Sequence, residues 1–393
     1  MLILLSLGNV VAVRGQERIA IEEAIRIALT NNRQFRVNEA EIESAGYHVR
    51  AAGEIPKTGL FAENEDLRPS DRAGILKIGV SQSVAWPGLY AARKSYFREL
   101  EKYARINTDR LGAIVRKDVR MAYYQLWYLQ EKEALLQQLS DIYSDLLKAA
   151  GLRVKTGEAA ALDQIAAGAK MKELQAFIGQ NRKDMTIRQQ QLMMLLNRNE
   201  WLLPLAGPLK KMEPEEGDEA AAHPLLSLQQ QNVQIASSNI AVQRNTNKPE
   251  LSGRFFTQRL WGASDPFTGF SVTAAIPLIG TGAYRSKVRA ATAEKEAQEE
   301  MLAWQLQQLE TEKAASVSEV LKNAELLGFY ESSGLQQASE IITAARLSYS
   351  AGDISFAELS QFLGQAIEIR QNYLDVLNRY NQSVIQLNYF HNR

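Results

Sequence analysis

Two stretches of the sequence alternate between apolar residues and small or polar residues. The first begins at Leu76 and runs to Trp86, and the second runs through Gly269 to Ile276. A period of two is typical of a β-strand, so each stretch predicts a strand with one apolar face and one small, polar face. We expect the apolar positions to face lipid if the strands lie in a membrane barrel. These positions are Leu76, Ile78, Val80, Val84, Phe270, Val272 and Ile276.

Each alternating stretch has a candidate partner strand just before it, at about 58–65 and 250–260. The chain therefore contributes two hairpins, four strands in all. In a soluble protein a packed helix would cover the apolar face. In a membrane that face would meet lipid, and four strands are too few to close a barrel, so several chains would share one.

The rest of the sequence has the period of a helix. Residues 88–203 and 278–393 contain no proline, and apolar residues recur there at steps of three, four or seven, which is typical of coiled-coil-like helices. A helix from Gly88 to Ala150 would be roughly 95 Å long. Gly157 and Gly352 interrupt the two tracts, so each tract predicts an antiparallel helical hairpin with its tip at the glycine. Residues 19–52 predict a further, opening helix.

The two halves of the chain repeat each other. Residues 152–158 align with 347–353, and residues 49–56 align with 242–249, at nearly constant offset. We therefore predict structural repeats at 17–204 and 220–393, with 205–219, rich in proline and acid, as a solvated connector. Residues 1–16 resemble a secretory signal peptide, although no basic residue precedes their apolar run.

Composition excludes several functions. The chain has 45 basic and 45 acidic residues and no cysteine. Zero net charge disfavours a nucleic-acid partner, and the lack of cysteine excludes disulfides, thiolate metal sites and thiol nucleophiles. His48, His223 and His391 do not have a metal-ligand spacing, and no phosphate loop or catalytic triad is present. We expect neither enzymatic activity nor a cofactor.

In the order of these elements the sequence resembles the TolC family of outer-membrane efflux channels, including its CusC- and CzcC-like members. The resemblance depends on four segments: the opening helix at 19–32, the strand-to-helix junctions at 80–88 and 272–282, and the tip at 347–359. It implies a mainly α-helical chain with a small β part, assembled as a homotrimer. The trimer would have a shared twelve-stranded β-barrel in the bacterial outer membrane and a long α-barrel in the periplasm.

The resemblance also implies partners. The channel would work as a passive export duct in a tripartite pump, with a periplasmic adaptor protein and an inner-membrane transporter of the RND type. Some relatives serve heavy-metal pumps and others serve drug pumps. A soluble coiled-coil scaffold or adaptor protein is the alternative, which explains the helices but not the paired strands.

Carried over by position, the family's periplasmic aperture corresponds to Asp163, Tyr349 and Glu358. The tips that would dock the adaptor correspond to Gly157, Gly352 and Ser355. The sequence departs from the best-known pattern at Ile354, where an arginine is expected, and at Gln361, where an acid is expected. Alternatively, Asp163 and Glu358 are ordinary solvated helix positions.

Overall fold

The computed structural model describes residues 17–65, 74–157, 161–215, 223–260, 267–277 and 281–391. The expected signal peptide at 1–16 lies outside the described residues, as does the end of the expected connector. The helices are α1 Ile21–Asn31, α2 Arg33–Ala51, α3 Pro87–Thr156, α4 Ala161–Leu196, α5 Pro224–Thr246, α6 Thr281–Phe329, α7 Leu335–Ala351 and α8 Phe356–Phe390. The strands are β1 Glu17–Ile19, β2 Gly59–Glu65, β3 Ile75–Val84, β4 Leu202–Pro204, β5 Glu250–Leu260 and β6 Phe267–Ala275.

The predicted mainly α-helical fold with a small β part is confirmed, and all four predicted strands are present. The opening helix differs from the prediction in two ways. Its first residue, Ile19, belongs to a strand, and the helix is broken at Asn32. The Asn32 side chain explains the break, because it accepts a hydrogen bond from the backbone N–H of Gln34 at 2.9 Å and donates one to the carbonyl of Leu195 at 3.0 Å. These bonds fix the extended backbone of Asn32 between α1 and α2.

The chain divides into two compact units that do not follow the sequence repeat. The first unit combines residues up to 35 with 111–221 and 309–393, and the second combines 36–110 with 222–308. Each unit therefore draws on both predicted repeats. The duplication stays a prediction of the sequence, whereas the compact units reflect how the long helices pack.

The core of the first unit forms around α1, α3, α4 and α8. Two short strands, β1 and β4, pair in parallel beside it, with Ile19 in register with Pro204. The fully buried Tyr123 on α3 holds this pairing, since its hydroxyl donates to the carbonyl of Ile19 at 2.9 Å and accepts from the backbone N–H of Leu205 at 3.3 Å. The indole of Trp127 donates to the carbonyl of Gly207 at 2.8 Å.

The predicted solvated connector at 205–219 is described as far as residue 215; nine of these eleven residues are exposed, and the segment is also held against α8. Asn381 of α8 is fully buried, accepts from the N–H of Met212 and donates to the carbonyl of Lys210, both at 2.8 Å. One heptad later, Asn388 accepts from the N–H of Glu215 at 3.0 Å. The two asparagines thus supply backbone partners that a strand would otherwise provide.

The second unit contains an antiparallel sheet in the order β2, β3, β5, β6. Two hairpins, β2–β3 and β5–β6, join along β3 and β5, where Ile75 pairs with Leu260 and Val84 pairs with Leu251. Trp86 and Ile276, which the alternation included, lie just beyond the ends of β3 and β6. Within the described residues, no helix is long and apolar enough to cross a membrane.

A π-helical turn at Tyr330–Gly334 separates α6 from α7. Gly334 is buried there, and a Cβ at this position would lie 3.0 Å from Cδ1 of Tyr330 and 3.6 Å from Cγ2 of Ile369 on α8. The turn therefore packs closely against α8. Glu331 on the same turn pairs with Lys211 at 3.2 Å, in the segment that Asn381 holds.

Candidate channel surfaces and helical tips

One face of the sheet is apolar and exposed. A single row crosses all four strands in register, and its members are Leu60 (84% exposed), Val80 (42%), Phe255 (59%) and Phe270 (81%). Since side chains two apart on a strand share a face, Leu76, Ile78 and Val84 of β3 and Val272 of β6 lie on this same face. Ile276 is exposed but follows the last residue of β6.

The opposite face of the sheet is lined by small and polar residues. Ser81 pairs with Arg254, which pairs with Ser271, and Ser83 pairs with Ser252. A sheet with one exposed apolar face and one small, polar face has the character of a barrel wall between lipid and water. In a soluble protein, other elements would cover the apolar face of such a sheet.

The first helical tip ends at Gly157. Its φ of 81° lies in the left-handed region, where a side chain is strained, and its N–H donates to the carbonyl of Val154 at 3.2 Å. No atom lies within 4 Å of where its Cβ would be. The backbone conformation, and not lack of space, therefore explains the glycine.

The second tip has the same device at Gly352, with φ of 87°. The N–H of Gly352 donates to the carbonyl of Tyr349 at 3.2 Å, and the next N–H, of Asp353, donates to that of Ser348 at 2.9 Å. This pattern closes the C-terminus of α7 as a Schellman-type cap. The chain then turns directly into α8.

Ser355 and Glu358 form a capping box at the start of α8. The Glu358 carboxylate accepts from the backbone N–H and the hydroxyl of Ser355, both at 2.8 Å, and the hydroxyl accepts from the N–H of Glu358 at 3.3 Å. The backbone bond, followed by the hydroxyl bond, lowers the pKa of Glu358 below its usual value of 4.5. This exposed carboxylate is therefore ionised and fixed in direction. Its Ser-x-x-Glu spacing in the sequence could have revealed the cap.

Arg153 joins the two helical hairpins, and sequence reasoning missed it. Its guanidinium lies 5.3 Å from the centre of the Tyr349 ring, which makes an edge-to-face contact with Phe356 at 6.3 Å. Asp163 is half-buried in the first turn of α4, on the first hairpin, where the helix dipole favours an acid. Of the three predicted aperture residues, Tyr349 and Glu358 thus flank one tip and Asp163 follows the other.

A small apolar cluster supports the second tip. Ala345, Leu359 and Leu363 are buried together, with Ile142 of α3 and Ile354 packed against them. Ile354 contributes to this packing, which explains an apolar residue where the family pattern has an arginine. The hydroxyls of Tyr143 and Ser360, which follow Ile142 and Leu359 of this cluster in sequence, lie 3.3 Å apart, so α3 and α8 also meet through a polar contact.

Each of the three histidines has a contact of its own. His48 stacks on Phe97 with ring centres 5.4 Å apart, His223 caps α5 by accepting from the N–H of Leu225, and Nδ1 of His391 is 3.1 Å from the carbonyl of Glu215. Among the residues that the structure describes, no group of three or more histidine, aspartate or glutamate side chains is placed to hold a metal ion.

Comparison with known proteins gives two kinds of match. Residues 218–390 match the family described as "Outer membrane efflux protein". Solved structures match the fold of nearly the whole chain. CusC has TM-score 0.78 and 16% identity, with 94% of this chain and 91% of that chain covered. The Campylobacter jejuni CmeC outer membrane channel has TM-score 0.81 and 13% identity, with coverage of 95% and 85%.

The Neisseria gonorrhoeae MtrE outer membrane channel, solved in an open state, has TM-score 0.76 and 16% identity, with coverage of 95% and 88%. No curated protein sequence matches this chain significantly. At these identities the structures establish the fold, and the family match concerns residues 218–390. The predicted resemblance to the TolC family is therefore confirmed: residues 218–390 match the outer membrane efflux proteins, and the chain has the fold of the channels CusC, CmeC and MtrE.

Proposed function

We propose that this chain is the outer-membrane duct of a tripartite efflux pump, and that three copies assemble to form it. The observation that carries the proposal is the exposed apolar row across all four strands, on the face opposite the serines of β3, β5 and β6; the row consists of Leu60, Val80, Phe255 and Phe270. Such a face is stable against lipid and unfavourable against water. A soluble coiled-coil scaffold would not expose such an apolar face to water, so the duct is the better explanation.

The edges of the sheet support a trimer. Within the described residues, β2 and β6 each pair with one strand only, which leaves a row of backbone donors and acceptors on both outer edges. Such edges cannot remain unpaired in lipid. If β6 of one copy pairs with β2 of the next, three copies supply twelve strands and leave no edge.

The helical tips would form the periplasmic end of the duct. Three copies of Asp163 and Glu358 would place six carboxylates around one opening, with Tyr349 beside them, and a ring of this kind favours cations. The reversals at Gly157 and Gly352, with the capped Ser355, would present the docking surface for a periplasmic adaptor. Through that adaptor the duct would receive cargo from an inner-membrane transporter of the RND type.

Cysteine labelling tests the wall. The chain has no cysteine, so Val80→Cys and Ser81→Cys each introduce a single thiol, at adjacent positions and similar depth. We expect a charged, water-soluble thiol reagent added to whole cells to label position 81 and spare position 80, whereas an apolar maleimide labels position 80. Equal labelling by the charged reagent at both positions would contradict the proposed wall.

The assembly is tested separately, by light scattering of the detergent-extracted protein. A mass of three chains is expected after subtraction of the bound detergent. A monomer that still inserts in the outer membrane would contradict the trimer.

A further inference from the structure

The small, polar face of the sheet carries an organised cluster that the alternation pattern does not reveal. Phe61 of β2 and Phe256 of β5 are in register with Gly79, which lies between them on β3. A Cβ on Gly79 would lie 2.8 Å from Cζ of Phe61 and 2.8 Å from Cβ of Phe256, and one on Gly269 of β6 would lie 2.7 Å from the Phe256 ring. The two glycines therefore leave the space that the two rings occupy.

A first ion pair crosses this space. Arg254 of β5 pairs with Glu63 of β2, although β3 lies between their strands. The guanidinium passes over the ring of Phe61, 3.8 Å from its centre. The missing side chain of Gly79 is what allows a side chain to reach across β3, so the glycine, the ring and the ion pair form one arrangement.

A second ion pair lies next to it. Lys77 pairs with Glu65 at 2.5 Å, and the same ammonium lies 5.8 Å from the centre of the Phe256 ring. Each cation thus has one carboxylate and one aromatic face. The two acids and two bases balance, so the cluster contributes almost no net charge to its side of the sheet.

We propose that these six side chains form a charge-compensated aromatic collar in the lumen, and that the collar sets how the strand region treats charged cargo. This inference depends on the proposed duct, in which the face opposite the apolar row is the lumen. The residues of the lumenal collar are Phe61, Glu63, Glu65, Lys77, Arg254 and Phe256.

The collar has a definite consequence for the cargo. A lone ring of carboxylates or guanidiniums would repel ions of its own sign. Because the opposite charges within each ion pair cancel, the collar admits cations and anions alike. Its aromatic faces can contact aromatic or amphipathic molecules. Discrimination by charge is then left to Asp163 and Glu358 at the helical tips.

A single cysteine next to the collar can report its potential. Ser81 of β3 is in register with Arg254, on the strand that the Arg254 side chain crosses to reach Glu63, so Ser81→Cys places a thiol beside the ion pair. The measured quantity is the rate of labelling by an anionic methanethiosulfonate reagent, divided by the rate with a cationic one. We expect Glu63→Gln to raise this ratio and Arg254→Gln to lower it, each by about threefold, because one unit charge within roughly a Debye length is left unbalanced.

The double variant is the decisive measurement. With Glu63→Gln and Arg254→Gln together, the ratio should return close to that of the parent cysteine protein. Glu65→Gln unbalances the second pair independently and should shift the ratio in the same direction as Glu63→Gln. Arg259→Gln is the matched control, because Arg259 lies on β5 but on the apolar face, and it should leave the ratio unchanged.

The outcomes separate the two proposals. Labelling at position 81 with a ratio that changes with neither Glu63→Gln nor Glu65→Gln would overturn the collar while leaving the duct intact. Failure of both charged reagents to reach position 81 in the folded outer-membrane protein would overturn the lumenal face itself, and with it the collar.

Discussion

Replacing Gly352 by alanine isolates the backbone requirement of the second tip. No atom lies within 4 Å of a Cβ built at Gly352, so the cost is the left-handed conformation alone, about 1–2 kcal/mol. Gly364 in α8 offers a matched control, since its Cβ would also meet no atom within 4 Å but its φ is not positive. There the same substitution should stabilise the helix by about 0.5–1 kcal/mol.

Native-state hydrogen exchange measures both changes. The amide of Asp353 donates to Ser348 in the cap, so it reports opening of the tip directly. Gly352→Ala should speed its exchange about 5- to 30-fold, the equivalent of 1–2 kcal/mol. Gly364→Ala should slow exchange of the neighbouring α8 amides by a smaller factor. If both substitutions change protection in the same direction, positive φ does not determine the residue at position 352.

Three further outcomes are expected. Asp163→Asn combined with Glu358→Gln should lower cation selectivity in single-channel recordings. Because glutamine also completes a capping box, a lowered selectivity would reflect the lost charges and not a lost cap, whereas unchanged selectivity would refute the aperture assignment. Asn381→Leu should leave the N–H of Met212 and the carbonyl of Lys210 without partners, and exchange in 205–215 should rise at least tenfold, as expected for two orphaned groups at about 1–3 kcal/mol each. The pKa of Glu358 is lowered in the folded protein, so the stabilising cap is fully present above the pKa of the unfolded chain and is lost as pH falls through the folded pKa. Protection of the Ser355 amide from exchange should therefore persist below the usual carboxyl range. Loss of this protection at or above pH 4.5 would contradict the prediction.

The sequence predicted those parts of the fold in which a periodic pattern extends over many residues. The alternation of β3 and β6 and the proline-free tracts located strands and helices, and glycines marked both tips. By contrast, β1 and β4 have three residues each and pair across most of the first half of the chain, so neither has a period to detect. The contacts of residues 205–215 with α8 could not be predicted, because their partners are asparagines, which are polar in the sequence and buried in the fold.

The positions of the candidate-site residues could be predicted from the sequence, but the contacts between them could not. The glycine tips and the apolar row follow from local pattern. The collar does not, because it combines residues of β2, β3 and β5, and only the register places Phe61, Gly79 and Phe256 in one row. Arg153 was missed for the same reason, since its aromatic partner Tyr349 lies in the other hairpin.

The π-helical turn at Tyr330–Gly334 bears on the predicted repeat of the two halves. The tract from Gly282 to Gly352 is one position longer than the tract from Gly88 to Gly157. A π-turn accommodates one additional residue without changing the direction in which the flanking helices face. The first half needs no such turn, because α3 is continuous α-helix to Thr156. In terms of the predicted repeat, the turn takes up the one additional residue of the second half, at a place where Gly334 lets the widened helix remain against α8.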